Sequence, residues 1–132
     1  MIRVSIETKS EIIKRGLQDI LEGYEVLDFY KDKEKDFNIL IFQDKELEKL
    51  EVEKIRLIDG RDLPLVVECS LLSLGASGEE VRNGIDKTLR GHIYIEENLK
   101  KLRKDRNNKF EKLKTLNRRE KKLLENNLWQ NK

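Results

Sequence analysis

Apolar residues recur along this chain in two rhythms, one of strands and one of helices. Residues 2–6 open with a buried-strand run built on Ile2, Val4 and Ile6. Ser10 then stands where a helix N-cap belongs, and Ile12, Ile13, Leu17, Ile20 and Leu21 follow at helical spacing. Ile39-Leu40-Ile41-Phe42 is a second strand, and residues 45–53 can supply one short helix. Ile55-Arg56-Leu57-Ile58 and Leu65-Val66-Val67 read as two more strands. The six residues between them, centred on Gly60, favour a turn or hairpin over a helical crossover. Residues 70–74 run into a helix that Ser77 and Glu80 open as a capping box. Its inward side carries Val81, Ile85 and Leu89, and Gly91 is its stop. A further helix is expected over residues 97–106, with a break at Asn107-Asn108. Asn117 and Glu120 form another capping pair ahead of Leu123 and Leu124.

Strands alternating with helices predict an α/β domain with a mainly parallel sheet. The middle is short for that class, because crossovers between parallel strands need about a dozen residues or more. About one helix is therefore expected to be lost between residues 45 and 74. The strand pairing there stays open, and it includes an antiparallel pair within an otherwise parallel sheet.

At 132 residues, one domain plus an extension is expected. Residues 1–99 hold 15 Lys/Arg against 22 Asp/Glu, a balance of −7, and residues 100–132 hold 13 against 4, a balance of +9. A basic tail behind an acidic domain suits a nucleic-acid contact, with Lys100, Lys101, Arg103, Lys104, Arg118 and Arg119 as candidates. It equally suits a solvated helical linker, since aromatic interleaving is lacking. Leu102, Phe110 and Leu113 give this stretch one thin apolar stripe. No apolar run approaches the ~20 residues of a membrane span. The first residues enter a strand at once and do not read as a signal peptide. The single cysteine, Cys69, makes no intrachain disulfide and is expected to be a buried, inert thiol in a reducing cytoplasm. No triad, zinc cluster or phosphate loop assembles around His92, the only histidine.

Three stretches in order resemble a response regulator of the LuxR/NarL type. Residues 2–17, with Arg15-Gly16-Leu17, resemble the opening of its receiver domain, and residues 75–99 resemble the end of one. Residues 116–125, LNRREKKLLE, resemble the first helix of a LuxR-type helix-turn-helix, with Asn117 in place of the family's threonine. The resemblance implies a shortened flavodoxin-like receiver over residues 1–99. A basic helical linker over residues 100–115 and an incomplete helix-turn-helix over residues 116–132 would follow. No recognition helix follows within these residues, so specific DNA binding is expected only from a part not present here.

Receiver chemistry needs two or three carboxylates around Mg²⁺, because the metal neutralises the incoming phosphoryl charge. By the resemblance, Thr8 and Lys9 stand where the family has its acidic pair. Gln43 takes the position of the phosphate-accepting aspartate, and Leu74 that of the lysine. A pseudo-receiver is expected, with no metal, no cofactor, no phosphoacceptor and no enzymatic activity. Glu7 and Asp44 each lie one residue from an active position and read as solvated strand-end residues, since a one-residue slip turns a side chain to the other face. The implied function is a phosphorylation-independent regulatory and dimerisation module of a transcription regulator. The helix beginning at Ser77 is the candidate dimer surface, with Arg82, Asp86 and Lys87 facing out. The alternative is a stand-alone interaction protein that sequesters a partner and binds no DNA.

Overall fold

Parallel pairing organises residues 1–99 of this computed structural model, which describes the backbone of residues 1–115 and the side chains of residues 1–107. Five strands, β1 (Arg3–Glu7), β2 (Glu25–Asp28), β3 (Ile39–Phe42), β4 (Lys54–Ile58) and β5 (Ser70–Ser73), form one sheet in the order β2-β1-β3-β4-β5. Every pairing is parallel. With helices α1 (Glu11–Ile20), α2 (Gly78–Leu89) and α3 (Glu97–Thr115), this is a shortened flavodoxin-like α/β fold. The contacts divide the chain into residues 1–99 and residues 100–132. Residues 116–132 lie outside the described residues, as do Arg118, Arg119 and the helix expected there, and the side chains of Phe110 and Leu113 lie outside the described side chains.

Strand alternation divides the core between the two faces of the sheet. On one face Val4, Ile6, Ile39, Ile41, Ile55, Leu57 and Leu72 pack with Leu17 and Leu21 from α1 and its cap, and with Val81 and Ile85 from α2. The Ser10 hydroxyl accepts from the Ile13 amide at 3.3 Å, and the Ser77 hydroxyl from the Glu80 amide at 3.2 Å, so both helices start at the caps read from sequence. The capping box of α2 is half formed, because Glu80 instead accepts from the Tyr94 hydroxyl. Gly91, at φ +87°, ends α2 in the left-handed conformation that glycine adopts without cost.

The opposite face carries neither α1 nor α2, and the first turn of α3 reaches it through Leu99. There Leu40 and Phe42 pack with Cys69, Phe29, Phe37 and Leu47, while Ile58 and Leu71 pack with Leu63, Leu99, Val67 and Ile95. The covering residues come from the crossovers 29–38, 43–53 and 59–69, together with Ile95 and Leu99 beyond α2. The shortening thus reaches three crossovers, where one lost helix was expected. Short strands make this feasible. Four or five residues advance about 15 Å, which ten or eleven loosely extended residues can retrace.

The structure departs from the expected elements at four places. Gly60 turns no hairpin: Asp59 caps a 3-10 turn at Gly60–Asp62 by accepting from the Arg61 amide at 3.0 Å, and the chain returns to pair β5 parallel with β4. Leu65-Val66-Val67 is not a strand, with Leu65 81% and Val66 71% exposed. β5 begins at Ser70, whose hydroxyl lies 2.7 Å from that of Thr88 in α2 and accepts from the Tyr94 amide. The helix expected in residues 45–53 is a 3-10 turn, Lys45–Lys49. Asn107-Asn108 does not break α3, since two interior asparagines each cost well under ~1 kcal/mol relative to alanine. After α2 the chain adds an isolated parallel bridge, Leu71 to Ile95, on the outer side of β5.

Candidate functional site

Strand order reverses between β1 and β3, and in open parallel sheets the crevice beyond the strand carboxyl ends at such a point is where ligands bind. Here Glu7, Lys9, Gln43 and Asp44 line a cleft of about 370 Å³. Glu7 ends β1 opposite Phe42, on the face without α1 and α2. It is not a solvated strand-end residue, being 2% exposed. Its Oε1 accepts from the Gln43 amide at 3.0 Å and the Asp44 amide at 2.8 Å, and its Oε2 accepts from the Tyr30 hydroxyl at 2.8 Å. One buried carboxylate therefore ties together the end of β1, the turn after β3 and the loop after β2. This agrees with the requirement that a buried charge be hydrogen-bonded.

Tyr30 reaches Glu7 because its loop is fixed at its root. Asp28 accepts from the Tyr30 and Lys31 amides at 2.9 and 3.0 Å and pairs with Lys14 of α1. The Lys14 hydrogen bond, with help from those amides, holds the Asp28 carboxyl below the usual carboxylate range, and Asp28 in turn raises Lys14. Bonding to Glu7, followed by desolvation, pushes the Tyr30 phenol up to about 12.

Of the four positions that the resemblance singles out, two meet directly: the Thr8 hydroxyl donates to the Gln43 side-chain carbonyl and also accepts from the Ser10 amide at 3.1 Å. Lys9 is exposed on the same cleft. Leu74 lies elsewhere, half-exposed on an apolar groove with Ile12, Ile13, Gly16 and Ile20. Asp44 is exposed and caps the following 3-10 turn through the Glu46 amide at 3.0 Å. Among the described residues no group of three or more His, Cys, Asp or Glu side chains could hold a metal ion. The arrangement suits holding backbone in place: the two oxygens of Glu7 accept from three donors, and Gln43 presents an amide to the cleft.

On α2, Val81 and Ile85 are buried, while Arg82, Asp86 and Lys87 are exposed. Arg82 nevertheless donates to the Ile20 carbonyl at 3.2 Å, and Asp86 pairs with Arg90 at 3.4 Å, so Lys87 stands out most freely of the three. Lys100, Lys101, Arg103 and Lys104 fall within the first eight residues of α3. Cys69 is buried, and desolvation pushes its thiol up to about 11.

Two polar centres had escaped the sequence reading. Tyr30 gives no local signal at all. Glu96 is 2% exposed and accepts from the Ser73 amide at 2.8 Å, doing for β5 what Glu7 does for β3. Parity was the available signal for Glu7: it shares its face with Ser5, opposite Leu40 and Phe42, and a parallel sheet is buried on both sides.

No protein-family model, curated protein or solved structure matches the chain. Among the described residues no helix is long and apolar enough to cross a membrane.

Proposed function

We propose that this chain is a phosphorylation-independent regulatory module, a pseudo-receiver from a cytoplasmic transcription regulator resembling the LuxR type. The observation that carries the reading is Glu7. Its carboxylate occupies the two backbone amides after β3 at the switch point, so the chain's own anion sits beside the place where a receiver takes its phosphoryl group. Gln43 adds no carboxylate that could form an acyl phosphate, and Lys9 puts a positive charge where a receiver would need metal ligands. The module then acts by self-association, with the exposed side of α2 as its candidate surface, or by contact with another protein. Its basic residues from Lys100 onward supply only weak, salt-sensitive contact with nucleic acid.

Intact-mass measurement after incubation with acetyl phosphate and Mg²⁺ tests the reading. The expected result is an unchanged mass. A stable gain of one phosphoryl group, mapped to Asp44, would overturn it. A second reading, a stand-alone interaction domain, is favoured by the aliphatic side chains that the crossover 59–69 exposes. Duplex titration at two salt concentrations bears on DNA: tight binding to one sequence that survives moderate salt would contradict both readings.

A further inference from the structure

Between the crossover 29–38 and β1 lies a cleft of about 170 Å³, lined by Ser5, Phe29, Asp32, Lys33, Lys35 and Phe37. It shares no residue with the cleft at Glu7. Burial sorts its lining. Ser5 is 2% exposed and forms the floor. Phe29 and Phe37, half-buried and edge to face with ring centres 6.5 Å apart, form the apolar wall. Asp32 is half-buried, and Lys33 and Lys35 are exposed, so the charges sit at the mouth.

The floor calls for a partner. Ser5 stands in the middle of β1, beside Leu27 of β2 and Leu40 of β3. Its hydroxyl makes no hydrogen bond among the described residues. Buried hydroxyls are nearly always bonded, so one left open on a cleft asks for a partner from outside the chain. The walls are held in place around it. The Phe29 amide donates to the Ile6 carbonyl at 3.0 Å, the Lys35 amide to the Asp32 carbonyl at 3.0 Å and the Asn38 amide to the Arg3 carbonyl at 2.9 Å.

Size, wall and mouth narrow the ligand. An apolar cavity of about 150 Å³ holds one benzene ring. Aromatic walls favour an aromatic guest, set offset or edge-on. At the mouth Asp32 is engaged: its Oδ2 accepts from the Asp28 amide at 2.8 Å, and its Oδ1 lies 3.8 Å from the Lys35 Nζ. Lys33 has no partner among the described residues and stands ready for an anion. Glu34 and Asp36, in the same crossover, do not line the cleft.

We propose that this cleft binds a one-ring aromatic acid with a hydroxyl on its ring. The hydroxyl meets Ser5, the ring lies against Phe29 and Phe37, and the carboxylate meets Lys33. The proposal does not rest on the pseudo-receiver reading and stands on a different cleft.

The test uses the full chain, ¹⁵N-labelled, titrated with para-hydroxybenzoate, benzoate, para-hydroxybenzyl alcohol and cyclohexanecarboxylate. Saturable amide shifts from para-hydroxybenzoate are expected at residues 5 and 29–38, with a Kd of about millimolar or tighter for a ligand of this size. Benzoate should bind about three- to tenfold more weakly for want of the hydroxyl. Cyclohexanecarboxylate should bind more weakly than benzoate for want of the aromatic ring. This series is read on the wild-type chain and needs no variant. In Ser5→Ala the preference for para-hydroxybenzoate over benzoate should vanish. Lys33→Ala should weaken both aromatic acids severalfold and leave the neutral alcohol unchanged. Without ligand, Ser5→Ala should melt no lower than wild type, because it removes a hydroxyl that has no partner. A lower Tm would overturn the proposal at its premise. Equal affinity for para-hydroxybenzoate and benzoate, or for benzoate and cyclohexanecarboxylate, would also overturn it. So would the absence of saturable shifts at residues 5 and 29–38 with every aromatic probe, which would leave the cleft to water.

Discussion

The two faces of the sheet are built on different principles. The helix-covered face is a continuous apolar interdigitation of strands with α1 and α2, both started by serine caps. The opposite face has smaller apolar clusters, held down by polar ties at short range. These are Glu7 to the Gln43 and Asp44 amides and Tyr30, the Arg56–Glu48 pair at 2.9 Å, and Asp59 on its own turn. A helix satisfies its own backbone and brings an apolar stripe. A crossover of ten or eleven residues does neither, so side-chain carboxylates must take up its amides. The candidate site lies on the face that depends on such ties, which is why its central residue serves structure and site together.

The sharpest break of this contrast is Glu7→Ala. It strips three donors of their acceptor and is expected to cost about 3–5 kcal/mol, read by chemical denaturation. Hydrogen exchange should rise first in residues 29–32 and 43–46, with α1 and α2 still protected. Glu7→Gln keeps an acceptor oxygen and should cost roughly half as much. Uniform loss of protection across both faces would erase the distinction.

Ile85→Ala probes the other principle. Ile85 is fully buried between α2 and the sheet, and truncation should cost about 2–4 kcal/mol with protection lost globally. Leu65→Ala, on the exposed loop, should stay within about 0.5 kcal/mol.

Tyr30→Phe removes one bond to a buried carboxylate and should cost about 1–2 kcal/mol. Its pH dependence has a definite sign. The phenol is raised from 10.0 to about 12, so the folded state favours the protonated form. The stability it contributes is whole below pH 10 and is lost as pH rises through about 12. Wild type should therefore lose more stability than Tyr30→Phe over that interval, and parallel curves would contradict the Glu7 bond.

Ser77→Ala should cost about 1 kcal/mol from one lost cap on the helix-covered face, measured as a shift in Tm.

Legibility in the sequence followed the same division. α1, α2, β1, β3 and β4 announced themselves because helical spacing, caps and continuous apolar runs are local signals. β2 did not, since Glu25-Val26-Leu27-Asp28 is a four-residue edge strand with polar ends. β5 was displaced onto Leu65-Val66-Val67, an apolar run of the right composition. What decides against it is tertiary: the parallel register with β4 and the Ser70–Thr88 contact that seats β5 under α2. Of the positions named from the resemblance, Lys9 and Gln43 line one cleft and Thr8 bonds to Gln43 beside it, while Leu74 lies on another groove. Glu7 looked like a surface residue because charged residues are rarely buried unless paired, and its partners are backbone amides and a tyrosine 23 residues away.

One carboxylate seated on two amides organises the site. Hydrogen-bond-mediated couplings between the Gln43 and Asp44 amide nitrogens and the Glu7 side-chain carboxyl carbon test it most directly, measured by NMR on the ¹⁵N,¹³C-labelled chain. Both couplings are expected, with both amides protected from exchange and both couplings lost in Glu7→Ala. Absent couplings, with the two amides exchanging as fast as those of exposed loops, would contradict it.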